Sequence, residues 1–196
     1  MGESVLMNAV IFDEDSVMLS ITPEWCSLIV LKKKTLEIRK TKPKLKPPFQ
    51  CYIYQTSEYI PAFVLSPFAG KRKPGRVIGW FICDYIIDYK VGYSGGDDCL
   101  TLEQQEAYLG PNGHGYGWHI SDLHIYDHPE HIERYIRHRR NCSEILPTIL
   151  CTGCEQNQPD DEGFNGCALA LRRPPQSWCY CVRAFPYPMT RPNGRT

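Results

Sequence analysis

The chain has 196 residues, 42% of them hydrophobic and 12% aromatic, enough to build a core but too short for several large domains. Lys plus Arg equals Asp plus Glu at 22 each, so no net charge drives it to a polyanion. No apolar run approaches the ~20 residues that cross a bilayer, and the acidic start lacks the basic n-region of a secretory signal. A cytoplasmic protein with reduced thiols is expected.

Residues 1–17 read as an N-terminal extension. VMLSI at 17–21 has strand character. Thr22 and Pro23 then carry helix-start chemistry, an N-cap followed by Pro at the first helical position. That helix is expected to run to about Leu31. The stretch 34–40 (KTLEIRK) alternates, with Leu36 and Ile38 on one face and Thr35, Glu37 and Arg39 on the other. It predicts a half-buried strand. A stiff Pro-rich connection follows at 42–48 and a strand at 49–55.

Residues 66–75 read as a basic loop. The apolar run 76–89 predicts one long strand. Thr101 and Gln104 have capping-box spacing and open a short helix to about Leu109. Residues 111–117 read as a turn and 118–126 as a strand. Pro129 is placed at the start of a helix to about Arg140, with Ile132, Tyr135 and Ile136 as its stripe. Residues 141–168 read as a Cys-rich insertion and 178–184 as a last strand, and a mobile tail is expected at 186–196. Short strands with few helices, mostly out of βαβ order, give an α+β protein with a small mixed β-barrel.

Charge is segregated along the chain. Residues 32–76 hold twelve Lys/Arg against two acids, and 77–133 hold one Lys against ten acids. One surface can therefore attract phosphates, unless the two segments neutralise each other in the fold. Lys34, Glu37 and Arg39 stand in the basic part. A carboxylate can accept from the exocyclic amine of cytosine, and Arg can fork onto a phosphate or base edge. Lys40 and Lys42, with Lys44, Lys46, Lys71, Arg72 and Lys73, are candidates for tracking a nucleic-acid backbone. A surface salt bridge and solvated lysines are the plain alternative. Ser121 joins the candidate binding residues. Tyr52, Tyr54, Trp80, Trp118 and Trp178 are candidate stacking residues, of which at most two should face a ligand.

Cys142, then Cys151 and Cys154 as C-x2-C, then Cys167 suit a closed tetrahedral zinc site. Such a zinc would be structural and would staple an insertion poor in apolar residues. His124, His128 and His131 read as surface residues.

The ordered segments SITPEWCSLIVLKKKTLEIRKTKPK, FQCYIYQT, GRVIGWFICD, WHISDLHIYDHPEHI and RRPPQSWCYC resemble the ASCH domain of the PUA-like superfamily. The chain resembles in particular the stand-alone members common in phages and prophages. The likeness spans about 18–183 and sets a domain at 18–185. The family's Gly-x-Lys-x-x-Glu-x-Arg falls on residues 32–39, with Lys34, Glu37 and Arg39 matching and Lys32 replacing the Gly. The resemblance implies a compact barrel whose cleft, beside the first helix, takes RNA or a modified nucleobase or nucleotide. A related bacterial group is an amidohydrolase of N4-acetylcytidine that uses a Lys, a Thr three residues on and a distant Glu. Here Lys34 matches, Glu37 takes the Thr position, and Asp84 and Asp88 lie where the Glu is expected. Binding is therefore expected ahead of hydrolysis of an N4-acylated cytidine or of RNA, in which Lys34 and Glu37 would be catalytic. A third reading is a phage-encoded module that binds a protein partner through 141–168.

Overall fold

The computed structural model describes residues 16–137 and 171–183. β1 (Ser16–Ile21) is followed at once by α1 (Pro23–Val30), with Pro23 in the first turn and Thr22 at its N-cap. β2 (Leu36–Arg39) comes next, then β3 (Phe49–Gln55). The stretch 66–75 is not wholly loop. β5 (Lys71–Lys73) pairs with β4 (Glu58–Ile60) as a separate two-stranded hairpin.

The apolar run 76–89 forms two strands rather than one. β6 (Arg76–Cys83) and β7 (Ile86–Lys90) belong to different sheets, and the chain turns at Asp84 and Tyr85. α2 (Leu102–Leu109) carries the expected capping box, with Thr101 and Gln104 bonded reciprocally. The expected turn at 111–117 is largely strand. β8 (His114–His119) and β9 (Ser121–Glu130) are separated at Ile120.

The helix expected from Pro129 does not form in the described part of 129–140. β9 continues through Pro129, a short 3-10 turn follows (Ile132–Arg134), and β10 (Tyr135–Arg137) pairs with β11 (Trp178–Arg183). β9 is an edge strand, where a missing N–H is tolerated. Residues 1–15, 138–170 and 184–196 lie outside the described residues, and with them Cys142, Cys151, Cys154, Cys167 and all of the expected 1–17 extension but Ser16 and Val17, which are buried in β1.

The main sheet has six strands in the order β10-β11-β1-β3-β6-β9, with β1 and β3 parallel. A three-stranded antiparallel sheet has the order β2-β8-β7. Among the described residues these sheets do not close into one hydrogen-bonded barrel. They share a core instead. Val17, Leu19 and Ile21 of β1, Cys51 and Ile53 of β3 and Phe81 of β6 pack with Trp118 of β8 and Ile29 of α1. The opposite face of the main sheet buries Met18, Tyr52, Tyr54 and Val77 against Tyr135 and Leu171. A smaller cluster joins Leu36 and Ile38 of β2 to Tyr89 of β7, under Leu109 of α2. β2 is thus enclosed between α1 and α2, and its four residues are all buried rather than half-exposed. No helix of the described residues is long and apolar enough to cross a membrane.

Candidate functional site

The turn after α1 sets the position of Lys34. Lys32 takes φ 57°, the left-handed conformation that favours glycine. The N–H groups of Lys33 and Lys34 then donate back to the Leu28 carbonyl at 2.9 and 3.2 Å. This closes the helix and turns the chain into β2. From the far side, the Asp97 carbonyl accepts from the N–H groups of Thr35 and Leu36 at 2.9 and 3.0 Å. The loop before α2 therefore holds the entry to the strand.

Three charged side chains converge here, all buried. Glu37 lies between two cations. Its Oε1 is 2.9 Å from Arg39 Nη2 and its Oε2 is 3.5 Å from Lys34 Nζ. Lys34 Nζ also donates to the Leu36 carbonyl at 2.9 Å and the Asp98 carbonyl at 2.6 Å. Arg39 Nη2 donates to the Ser20 carbonyl at 2.9 Å. The Asp98 carboxylate is engaged elsewhere, accepting from Tyr89 Oη and from the Leu100 N–H. Burial, the Asp98 hydrogen bond and neighbouring negative charge together push the Tyr89 hydroxyl well above the usual tyrosine range, so it stays a donor.

Two atoms of the triad are left over. Glu37 Oε2 and Arg39 Nε are buried and have no hydrogen-bond partner among the described residues. A buried acceptor and a buried donor left unpaired are costly. They lie beside a cleft of about 430 Å³ between α1 and α2. Lys34, Glu37, Ile38 and Arg39 line it from β2, Trp25 from α1, and Gln104 and Tyr108 from α2. Lys34 Nζ sits 5.4 Å from the Trp25 ring centroid, and Lys40 Nζ 5.3 Å from that of Tyr108.

The structure thus brings Lys34, Glu37 and Arg39 together, with Lys40 at the rim. Lys42 is exposed and stands over Tyr116, outside the cleft lining. Trp118, Ser121 and Trp178 do not line the cleft. Trp118 is fully buried, edge-on to Phe49 with centroids 5.7 Å apart and tilted against Trp178 at 5.8 Å. Trp178 donates from Nε1 to Thr41 Oγ1, and Ser121 donates to the Ile82 carbonyl. Tyr52 and Tyr54 are in the core, and Trp80 stacks on His124. His124, His128 and His131 are exposed, as expected. The ring-bearing walls are Trp25 and Tyr108, which the sequence reading passed over. Both are half-buried and pack against core clusters, so helical spacing alone did not separate them from core residues.

Asp84 and Asp88 do not line the cleft either. Asp84 is exposed and its Oδ1 is 2.6 Å from His119 Nδ1. Among the described residues no group of three or more His, Cys, Asp or Glu is arranged to hold a metal ion.

No family model and no curated protein matches the chain. Solved structures do. The ASCH protein of Zymomonas mobilis aligns with a TM-score of 0.51 at 19% identity, covering 86% of this chain and 88% of that one. Two single-substitution variants of the Zymomonas mobilis protein align with TM-scores of 0.46 at 20% and 22% identity, each covering 61% of this chain and 77% or 75% of theirs. At this identity the likeness is one of architecture, and the chain shares the ASCH-type fold.

Proposed function

We propose that the cleft between α1 and α2 binds a nucleobase presenting an exocyclic amine, as part of RNA or a nucleotide. The observation that carries this reading is a pair of buried atoms with no hydrogen-bond partner among the described residues, Arg39 Nε and Glu37 Oε2, the latter held only by its ion pair with Lys34 at 3.5 Å. A carboxylate oxygen accepts from an amine, and a guanidinium N–H donates to a ring nitrogen or carbonyl. Cytosine offers an amine donor beside a ring-nitrogen acceptor on its pairing edge, so one base can satisfy both atoms. Trp25 and Tyr108 supply ring faces for stacking. The cleft volume falls within the range of small-molecule sites.

Hydrolysis of N4-acylated cytidine is the weaker reading. Its nucleophile would be Lys34, but the Lys34 ammonium already donates to two carbonyls and pairs with Glu37. An attacking amine must be neutral and have a free lone pair. Lys34 is instead placed to orient Glu37.

Calorimetric titration with cytidine and uridine monophosphates tests the proposal. Cytidine monophosphate should bind more tightly, and Glu37→Gln should remove the preference. Equal affinity for the two nucleotides, unchanged by Glu37→Gln, would overturn it. Incubation with N4-acetylcytidine should yield no cytidine.

A further inference from the structure

An unusual arm leaves the main sheet where the cleft opens. β3 ends at Gln55 and β6 resumes at Arg76, and between them β4 and β5 pair only with each other. The N–H of Thr56 donates to the Ile21 carbonyl at 2.9 Å. Ser20, Ile21 and Thr22 all line the cleft, so the root of the arm is on its rim.

The arm has two chemical zones. β5 consists of Lys71, Arg72 and Lys73, all exposed, and the arm's one acid is Glu58. The tip holds Phe63 and Leu65, 90% and 105% exposed, with Val64 at 40%. Tyr59 on the stem is 57% exposed. Large apolar side chains standing together in water mark an interaction surface. The cations on the stem say what covers them. Lysines and arginines neutralise phosphates, while apolar and aromatic side chains stack on or between bases. Exposed Lys40, over the Tyr108 ring, places a further cation beside the cleft's α2 side.

We infer that the arm grips an RNA strand that has one base in the cleft. Lys71, Arg72 and Lys73 meet its phosphates, and Phe63 and Leu65 lie against the neighbouring bases. This inference rests on the cleft reading and narrows it, from a base in the cleft to a strand that continues past its rim. An anionic lipid surface would meet the same basic and apolar pattern. The position at the cleft rim favours the nucleic acid.

The test uses the full chain and two probes, cytidine monophosphate and a single-stranded RNA of about a dozen nucleotides. Two variants alter exposed side chains. One combines Lys71→Ala, Arg72→Ala and Lys73→Ala, and the other combines Phe63→Ser and Leu65→Ser. Each should lose tenfold or more in RNA affinity while binding cytidine monophosphate normally. The triple variant should also flatten the log–log salt dependence by about 2, for three lost single-strand phosphate contacts. Unchanged RNA affinity in both variants overturns the arm's role and leaves the cleft reading standing. The arm's role is also overturned if phosphatidylserine vesicles capture the chain through Phe63 and Leu65 while RNA affinity is unchanged. Glu37→Gln distinguishes the two levels. If it leaves both probes bound as before, the cleft reading fails, and the arm inference with it.

Discussion

Glu37 and Arg39, two residues apart on β2, face the same way and join at 2.9 Å, both only 6% exposed. Strand alternation brings them together, and burial makes the pairing matter. A buried carboxylate between two cations is held by both, and removing its charge leaves Lys34 and Arg39 uncompensated. Breaking a buried pair costs about 3 kcal/mol or more. Glu37→Gln keeps the shape and removes the charge. Urea denaturation should show a stability loss of about 3 kcal/mol, together with the lost cytidine preference. A variant as stable as the parent would show that the three charges are not acting as a unit.

Lys32 gives the opposite expectation. It holds φ 57° where the resembling family has glycine. A left-handed conformation costs a side-chain-bearing residue about 1–2 kcal/mol. Glycine avoids that cost but loses about 0.5–1 kcal/mol through its freer unfolded chain. Lys32→Gly should therefore stabilise the protein by up to about 1 kcal/mol, with ligand affinity unchanged. Thermal denaturation checks the sign.

The motif around β2 was legible in the sequence because period-two alternation is local. Its burial was not. The Asp98 carbonyl that accepts from Lys34 comes from 64 residues away, and α2 covers the strand. The break between β6 and β7 was hidden for a similar reason. Asp84-Tyr85 carries neither Gly nor Pro, and the two strands separate because they join different sheets. The helix expected at 129–140 failed because long-range pairing outweighed local signals. Ile132 and Tyr135 have helical spacing, yet Tyr135 pairs with Arg183 across β10 and β11, and its hydroxyl donates to Glu130 at 2.8 Å. The zinc expectation rests on cysteine spacing alone, since all four thiols lie outside the described residues.

Gly79 fixes how closely β6 and β9 approach. A Cβ at this position would stand 2.1 Å from the His124 carbonyl oxygen and 3.0 Å from the Ile125 Cα. Both are backbone atoms of the neighbouring strand, so no side chain can swing away. The register between the strands shifts at this point as well. Gly79→Ala should cost about 2 kcal/mol or more through forced strand separation. The measurement is the denaturation midpoint, with exposed Gly96 avoided as a control because its positive φ of 79° would itself strain an alanine.

Asp84 and His119 predict a small acid-side effect. Burial acts to raise the Asp84 carboxyl, but the His119 hydrogen bond and nearby backbone N–H groups outweigh it and hold the carboxyl below its usual range. A depressed carboxylate stabilises the fold above its unfolded pKa, and that contribution fades as pH falls through the folded value. The effect therefore belongs below about pH 4. The Asp84 side chain is 42% exposed, so water screens much of the effect. Carbon-detected titration should place the Asp84 midpoint below that of an unfolded peptide. His119→Ala should move it up, and an unmoved midpoint would refute the assignment.

The buried thiols should be inert. Burial and then the negative Glu37 push the Cys26 thiol up to about 12, and burial raises Cys51 as well. The thiolate is the reactive form, so at pH 8 almost none is present at either site. Cys99 differs, being half-buried with its Sγ donating to the Lys33 carbonyl at 3.3 Å. Brief iodoacetamide treatment of the native protein, followed by peptide mass mapping, should label Cys99 before Cys26 or Cys51. In denaturant all three should label at similar rates. Because Cys26 is on α1 and close enough to feel the Glu37 charge, its labelling also reports how α1 is seated. Glu37→Gln should speed Cys26 labelling if the charged triad keeps α1 seated on β2, whereas unchanged protection would show that apolar packing of α1 alone does so.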